Sequence, residues 1–165
     1  MSDDEQYIAL DGWVWTPFGV TATFSLPRWL AHLWESDDGP SRRVLASGSR
    51  RWGFDMCFVG HRLCVGAPGA GRSAKHSAPG VTVFDLDADG PPRIVLGPRP
   101  PMFALRGLLA SAGGGRLELW DLDDGARVGV VNDVAPVAIH PDTGELIAWS
   151  EQGTFTRVSI EVGNP

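Results

Sequence analysis

The feature that most constrains this chain is a short pattern that recurs along it, an alternating run that ends on an aromatic residue and is followed by an acidic turn. The segment Leu33–Gly39 closely matches Leu119–Gly125, and Val83–Asp87 fits the same pattern with Phe in place of Trp. A fainter copy runs from Thr154 to Ile160. The aligned positions are 50, 36 and 38 residues apart and comprise Trp34, Phe84, Trp120 and Val158. Four units in 165 residues average about 41 each, a period typical of repeats that each form one structural unit.

The residues between these copies predict many short strands rather than long helices. Glycine and proline number 21 and 13, well above the usual share, and no collagen-like period explains them. In the clearest unit, apolar strands at 102–105 and 108–111 precede a turn at 113–115, an alternating strand at 117–121 and a last strand at 127–131. Strands packed between two neighbouring sheets must be apolar on both faces, whereas an outer strand can alternate. This unit therefore predicts one four-stranded antiparallel sheet.

The repeats resemble the blades of β-propellers. The segments 110–125 and 138–155 look like WD-repeat blades, and the first contains a Trp-Asp dipeptide at Trp120-Asp121. The segment Trp52–Asp87 instead resembles the FG-GAP blade of integrin-like propellers, with the GAP sequence at Gly66-Ala67-Pro68. The chain departs from WD repeats because no Gly-His pair precedes each first strand, so the hydrogen-bond tetrads of that family are not carried over.

The resemblance implies an all-β fold, namely a β-propeller of about four four-stranded blades in a single domain over residues 1–165. The expected blades are 11–48, 52–97, 101–131 and 135–163, with a Gly/Ala/Ser-rich inserted loop at 67–80. Familiar WD-like rings have more than four blades. Three closures therefore stay open: a closed monomer, a ring formed by two chains, or a half-ring that a separate protein completes.

The two ends of the chain suggest how the last blade is completed. The fourth unit ends after its third strand, near Val162, and so lacks an outer strand. Tyr7–Leu10 precedes a turn-like Asp11-Gly12 and the apparent start of the first unit. Because an open sheet edge is a liability, we expect Tyr7–Leu10 to close the last blade as its outer strand.

Two cysteines flank a predicted hairpin. Gly60-His61 is a plausible two-residue turn between two short apolar runs. That turn predicts three cross-strand pairs, which are Val59 with Arg62, Phe58 with Leu63, and Cys57 with Cys64. One hypothesis is a zinc ion bound by Cys57, His61 and Cys64, but their spacing matches no standard zinc site and a fourth ligand is missing. We therefore expect buried, reduced thiols.

An acidic turn offers a candidate calcium site. Asp85, Asp87 and Asp89 occupy positions 1, 3 and 5 of a calcium-loop pattern, but Leu96 replaces the closing glutamate at position 12. FG-GAP propellers bind calcium through a loop that precedes the GAP sequence, whereas this turn follows it. Calcium at these residues stays a hypothesis beside the simpler one of an Asp-rich turn, and no other cofactor is expected.

Charge and hydropathy exclude several classes of function. With 14 basic and 20 acidic residues the formal net charge is −6, which argues against a nucleic-acid partner. The one local basic cluster, at Arg42, Arg43, Arg50 and Arg51, is expected to be solvated. No apolar run has the length of a membrane span, and an acidic beginning with two cysteines indicates a cytoplasmic protein without a membrane partner.

The function expected from these features is a non-catalytic protein–protein interaction or scaffold module. Candidate contact residues are two tryptophans on one face of a strand, Trp13 and Trp15, and three residues of the inserted loop, Arg72, Lys75 and His76. The partner is a protein or a second copy that completes the propeller.

Two alternatives stay open beside this function. A ligand-binding or enzymatic propeller would need buried His, Asp or Arg on its innermost strands to form a polar central funnel. Apolar residues stand there instead, at Phe54, Phe103 and Val137, so we expect no enzyme. The other alternative is a propeller stabilised by calcium.

Overall fold

The computed structural model describes residues 1–2, 4–15, 18–32, 39–49, 54–66, 79–149 and 153–160. Within these residues the chain forms fourteen strands and one short helix. The strands belong to four antiparallel sheets that follow one another along the chain. The predicted all-β class is confirmed.

Each sheet is built from strands that are consecutive in sequence. The first sheet comprises β1 (Tyr7–Trp15), β2 (Phe18–Ser25) and β3 (Arg42–Ser49), with the helix α1 (Leu26–Ala31) after β2. The second comprises β4 (Met56–Val59), β5 (Arg62–Gly66), β6 (Gly80–Asp85) and β7 (Arg93–Leu96). The third comprises β8 (Met102–Leu105), β9 (Leu108–Ser111), β10 (Arg116–Trp120) and β11 (Arg127–Asn132). The fourth comprises β12 (Pro136–Ile139), β13 (Glu145–Trp149) and β14 (Phe155–Ser159).

The four sheets pack face to face, with one hydrophobic core between each consecutive pair. Phe58 and Leu63 of the second sheet meet Ala9 of the first in one core. Cys64 of the second sheet meets Leu109 of the third in the next. The core between the third and fourth sheets includes four fully or nearly fully buried leucines, which are Leu105, Leu117, Leu119 and Leu146. The second and third sheets are therefore apolar on both faces, as predicted for strands that lie between two neighbours.

The alternation of side chains along a strand produces this arrangement. On β5, Leu63 and Val65 point towards the first sheet, whereas Cys64 between them points towards the third. All three are buried. Because successive side chains of a strand project from opposite faces, three consecutive apolar residues are the pattern expected of a strand covered on both sides.

The hypothesis of a closing strand at Tyr7–Leu10 is wrong. These residues begin β1, which continues through Asp11 and Gly12 and pairs with β2 from Tyr7↔Ser25 onwards. Asp11 does not end the strand because its side chain accepts hydrogen bonds from two other segments, the Thr21 hydroxyl at 3.1 Å and the Phe54 N–H at 3.0 Å. The turn-like pair Asp11-Gly12 thus lies inside a strand.

The first and the last sheet have fewer strands than the four expected for each unit. Over the described residues the first and fourth sheets have three strands each, whereas the second and third have four. In the fourth sheet β14 forms one edge, with no described strand on its outer side. The inserted loop predicted at 67–80 lies outside the described residues up to position 78, and Gly80 is the first residue of β6.

The predicted hairpin register is confirmed. β4 and β5 pair Val59 with Arg62, Phe58 with Leu63, and Cys57 with Cys64. Gly60 begins the turn with φ +57°, a left-handed conformation that glycine adopts without strain. Both cysteines are thiols, and Cys64 is buried as expected whereas Cys57 is only half-buried.

Candidate functional site

The first strands of all four sheets line one open cavity of about 320 Å³. β8 packs against β4 on one side and β12 on the other. The lining includes Ala9 from β1, Met56 and Phe58 from β4, Met102 and Phe103 from β8, and Ile139 from β12. The first strands of the four repeats therefore meet at this cavity.

The side chains that line this cavity are apolar apart from the Cys57 thiol. Phe103 lies there as expected, whereas Val137 does not and is 54% exposed. Val137 lies where the register between β12 and β13 shifts, so its side chain does not point towards the cavity. A set of converging His, Asp and Arg side chains is not found on the described part of this cavity.

Two aspartates each join one sheet to the next. Asp11 accepts the N–H of Phe54, just before the second sheet, and Asp55 accepts the N–H of Met102, the first residue of the third sheet, at 2.6 Å. Burial raises the pKa of Asp55 above its usual 3.8, against the opposing effect of the Met102 N–H. These carboxylates are used to hold neighbouring sheets in place.

The acidic turn after β6 does not bring its three carboxylates together. Asp85 accepts the N–H of Asp87 at 3.0 Å, Asp87 lies 3.3 Å from His61 Nδ1, and Asp89 lies 3.5 Å from the Arg43 guanidinium. Arg43 also donates to two carbonyls of the turn, those of Leu86 and Ala88. The three carboxylates therefore have three different partners rather than one shared ion site.

Neither hypothetical metal site is assembled in the described part of the chain, where no three His, Cys, Asp or Glu side chains are grouped to hold an ion. For the zinc hypothesis this follows from the position of His61. Its two ring nitrogens lie within 3.5 Å of Asp4 and Asp87, on neighbouring turns.

The predicted interaction residues lie largely beyond the described side chains. Arg72, Lys75 and His76 lie outside the described residues. Trp13 and Trp15 belong to β1, where Trp13 pairs with Gly19, but their side chains are not among those described. Their proposed role in partner binding stays a prediction.

The fourth sheet carries an exposed apolar surface that sequence analysis did not identify. Ile147 and Trp149 on β13 are 44% and 50% exposed, and Phe155 on β14 is 67% exposed. Trp149 and Phe155 are cross-strand partners whose ring centroids lie 4.5 Å apart in an edge-on contact. Leu146 and Ala148, which alternate with Ile147 and Trp149 along β13, face the core instead. We call Ile147, Trp149, Phe155 and the adjoining edge of β14 the fourth-sheet surface.

A signal for this surface was present in the sequence. The run Glu145–Trp149 alternates under a period of two, so Ile147 and Trp149 must share a face opposite Leu146. What could not be predicted is that no described sheet covers that face.

The comparisons with known proteins add little to this description. No family model matches the chain, and no curated protein matches it either. Among solved structures, a chain of the "Crystal Structure of Mitotic Checkpoint Complex" is similar with a TM-score of 0.45 and 14% identity, over 97% of this chain. The match spans 61% of the length of that protein. The assignment of the fold therefore rests on the sheets themselves.

Membrane insertion through a helix has no support in the described residues. No helix there is both long and apolar enough to span a bilayer.

Proposed function

We propose that this chain is a small β-propeller that acts as a non-catalytic protein–protein interaction module. The four sheets are its blades, and the cavity lined by their first strands is the central channel. Face-to-face packing of consecutive sheets and the meeting of β1, β4, β8 and β12 around one cavity support this arrangement. The apolar lining of the cavity favours a scaffold over a catalytic funnel.

The main support for an interaction function is the exposure of the fourth-sheet surface. In the second and third sheets the exposed large apolar residues lie on the edge strands β7 and β11, but here an aromatic pair and an isoleucine are exposed on the central strand β13 and on β14. Burying a large apolar side chain stabilises by roughly 1.5–3 kcal/mol, and tryptophan is enriched among residues that dominate binding energy. An exposed cluster of this kind, next to an open strand edge, is typical of a docking site.

The occupant that we propose is the fourth sheet of a second copy. The exposed face is apolar, and the fourth sheet is one strand shorter than the second and third. Two such faces can pack against each other around a twofold axis, because each presents the same apolar side chains to the other. Ile147, Trp149 and Phe155 of each copy are then covered by the fourth sheet of the other copy.

Light scattering of the full chain tests this proposal. The chain has a mass of 17.7 kDa, so the proposed dimer has a mass of about 35 kDa. The double variant Trp149→Ser, Phe155→Ser should shift the mass to that of one chain, because it removes the apolar contact beside the β14 edge. Ile94→Ser is the matched control, since Ile94 is equally exposed on the edge strand β7.

Two results would contradict the proposal. One is a wild-type mass of a single chain at all concentrations tested. The other is a dimer that persists in the double variant but dissociates in Ile94→Ser, which would place the contact on the second sheet. Circular dichroism of each variant shows whether a change of mass reflects unfolding instead.

A further inference from the structure

A second cavity, of about 330 Å³, lies between the second and third sheets and differs sharply in chemistry from the central one. Its walls come from the connector after β7, the turn between β9 and β10, and the strands β10 and β11. Small-molecule sites begin at about 300 Å³, so the cavity is large enough for a small ligand.

Three arginines meet at this cavity, although the whole chain has a net charge of −6. Arg116 and Arg127 both contact the same oxygen of Glu118, Oε1, at 2.7 and 2.9 Å. The Glu118 side chain is only 7% exposed, so this carboxylate forms the floor of the site while the guanidinium groups remain half-exposed. One carboxylate balances only one of the two guanidinium charges.

The third arginine, Arg99, has no carboxylate partner among the described residues and adds a second uncompensated charge. Its backbone is fixed by Ser111, whose hydroxyl accepts the Arg99 N–H at 2.6 Å and donates to the Arg99 carbonyl at 2.7 Å. Its side chain crosses directly over Gly113, where any Cβ would overlap with the Cβ of Arg99. The backbone of Arg99 and the first part of its side chain are thus held by the fold without an ion pair.

The excess of two positive charges defines the class of ligand. Guanidinium groups match the geometry of phosphate oxygens, to which they donate paired hydrogen bonds. A phosphate monoester carries close to two negative charges at pH 7, because its second pKa is about 6. Such a dianion would neutralise the cavity, and the remaining volume beside the Trp120 ring would hold the group that the phosphate esterifies.

We propose that this cavity, which we call the arginine cavity, binds the phosphate group of a small phosphate monoester. Arg99, Arg116 and Arg127 donate to the phosphate oxygens. Glu118 holds Arg116 and Arg127 in the orientation in which their remaining N–H groups face the ligand. The site does not depend on the dimer, since its residues lie in the third sheet and in segments that flank the strands of the second sheet.

Calorimetric titration with glycerol 3-phosphate, and separately with inorganic phosphate, tests this site at constant ionic strength. Both probes should bind the full chain at pH 7.5, and both should bind more weakly at pH 5, where the phosphate carries one charge less. Arg99→Gln should weaken binding by about tenfold or more, because it removes charge-assisted hydrogen bonds. Arg28→Gln is the matched control, as it makes the same change of charge on the helix α1 and should leave the affinity unchanged.

Several results would overturn the proposal. These are the absence of binding of either probe at millimolar concentration, equal affinity at the two pH values, or equal weakening by Arg99→Gln and Arg28→Gln. The last result would indicate that anions respond to net charge alone. Because Arg99 forms no ion pair with a described residue, its variant should remain folded, and an unchanged melting temperature verifies this.

Discussion

The third and fourth sheets use the same alternation of apolar residues but end in different environments. In the third sheet Leu109 faces the second sheet and Leu117 faces the fourth, and both are fully buried. In the fourth sheet Leu146 is fully buried, but Trp149 on the opposite face of the same strand is half-exposed. An apolar face of a sheet therefore becomes part of the core only if the chain provides a neighbour for it. Where the chain does not, the face is available to another molecule.

The largest expected effect comes from removing a core residue on the covered side of this comparison. Leu109→Ala should lower the free energy of unfolding by about 3–4 kcal/mol, because it opens a cavity between two sheets that cannot collapse. Ile147→Ala, on the exposed face, should cost less than about 1 kcal/mol in the monomer. Urea unfolding measures both values. Similar losses would mean that the two faces are equally covered.

A somewhat smaller effect is expected at Gly97, which lies against the ring of Trp120. Gly97 has φ +118°, and a Cβ at this position would overlap with the indole. Gly97→Ala should therefore cost about 2–3 kcal/mol from backbone strain and overpacking. Gly107→Ala is the matched control, since Gly107 also has a positive φ, +79°, but faces open space. Equal losses in the two variants would show that the contact with Trp120 contributes nothing.

The dependence of stability on pH probes the junction between the second and third sheets. Because burial raises the pKa of Asp55 above 3.8, the folded state binds more protons there than the unfolded state. Stability from this group is therefore highest below that value and falls as pH rises through the raised pKa. Asp55→Asn cannot ionise, and its side-chain oxygen can still accept the Met102 N–H. The melting temperature of Asp55→Asn minus that of wild type should increase between about pH 3 and pH 7. A constant difference would contradict this account of Asp55.

The smallest effect is expected where the fourth sheet is attached to the third by surface hydrogen bonds. Arg106 donates to the carbonyls of Asp142 at 3.2 Å and Thr143 at 3.1 Å. Because these groups are exposed, Arg106→Gln should cost about 0.5 kcal/mol in urea unfolding. A loss as large as that of Leu109→Ala would mean that hydrogen bonds, rather than the core, hold the fourth sheet.

The parts of the fold that could be predicted are those determined by local pattern. The two-residue turn at Gly60-His61 is enough to set the register that pairs Cys57 with Cys64. The alternating run that ends at Trp120, followed by the acidic turn, gives β10 and β11 nearly to their observed bounds.

Predictions from the local sequence pattern were wrong where a contact with a distant residue determines the structure. Asp11-Gly12 has the composition of a turn, yet Asp11 remains in β1 because Thr21 and Phe54 donate hydrogen bonds to it. The helix α1 was not predicted either; a proline stands in its first turn, and its first residue, Leu26, donates its N–H to the carbonyl of the distant Gln6 at 2.8 Å. In both cases the deciding contacts are made by residues that the local pattern does not include.

The candidate sites were hidden from sequence analysis for the same reason. Arg99, Arg116 and Arg127 are separated by 11 to 17 residues and become neighbours only when β10 and β11 pack beside the connector. The exposure of Trp149 depends on whether another sheet packs against its face of β13, and the local sequence does not show this. The predicted cytoplasmic location and the absence of a nucleic-acid partner stay predictions.

Hydroxyl-radical footprinting over a range of protein concentrations tests the contrast between covered and exposed sheets most directly. The account predicts that Trp149 and Phe155 become protected as concentration rises, while Ile94 stays reactive and the buried Trp120 is protected throughout. Reactivity of Trp149 and Phe155 that does not change with concentration would contradict the claim that a second copy covers the fourth-sheet surface.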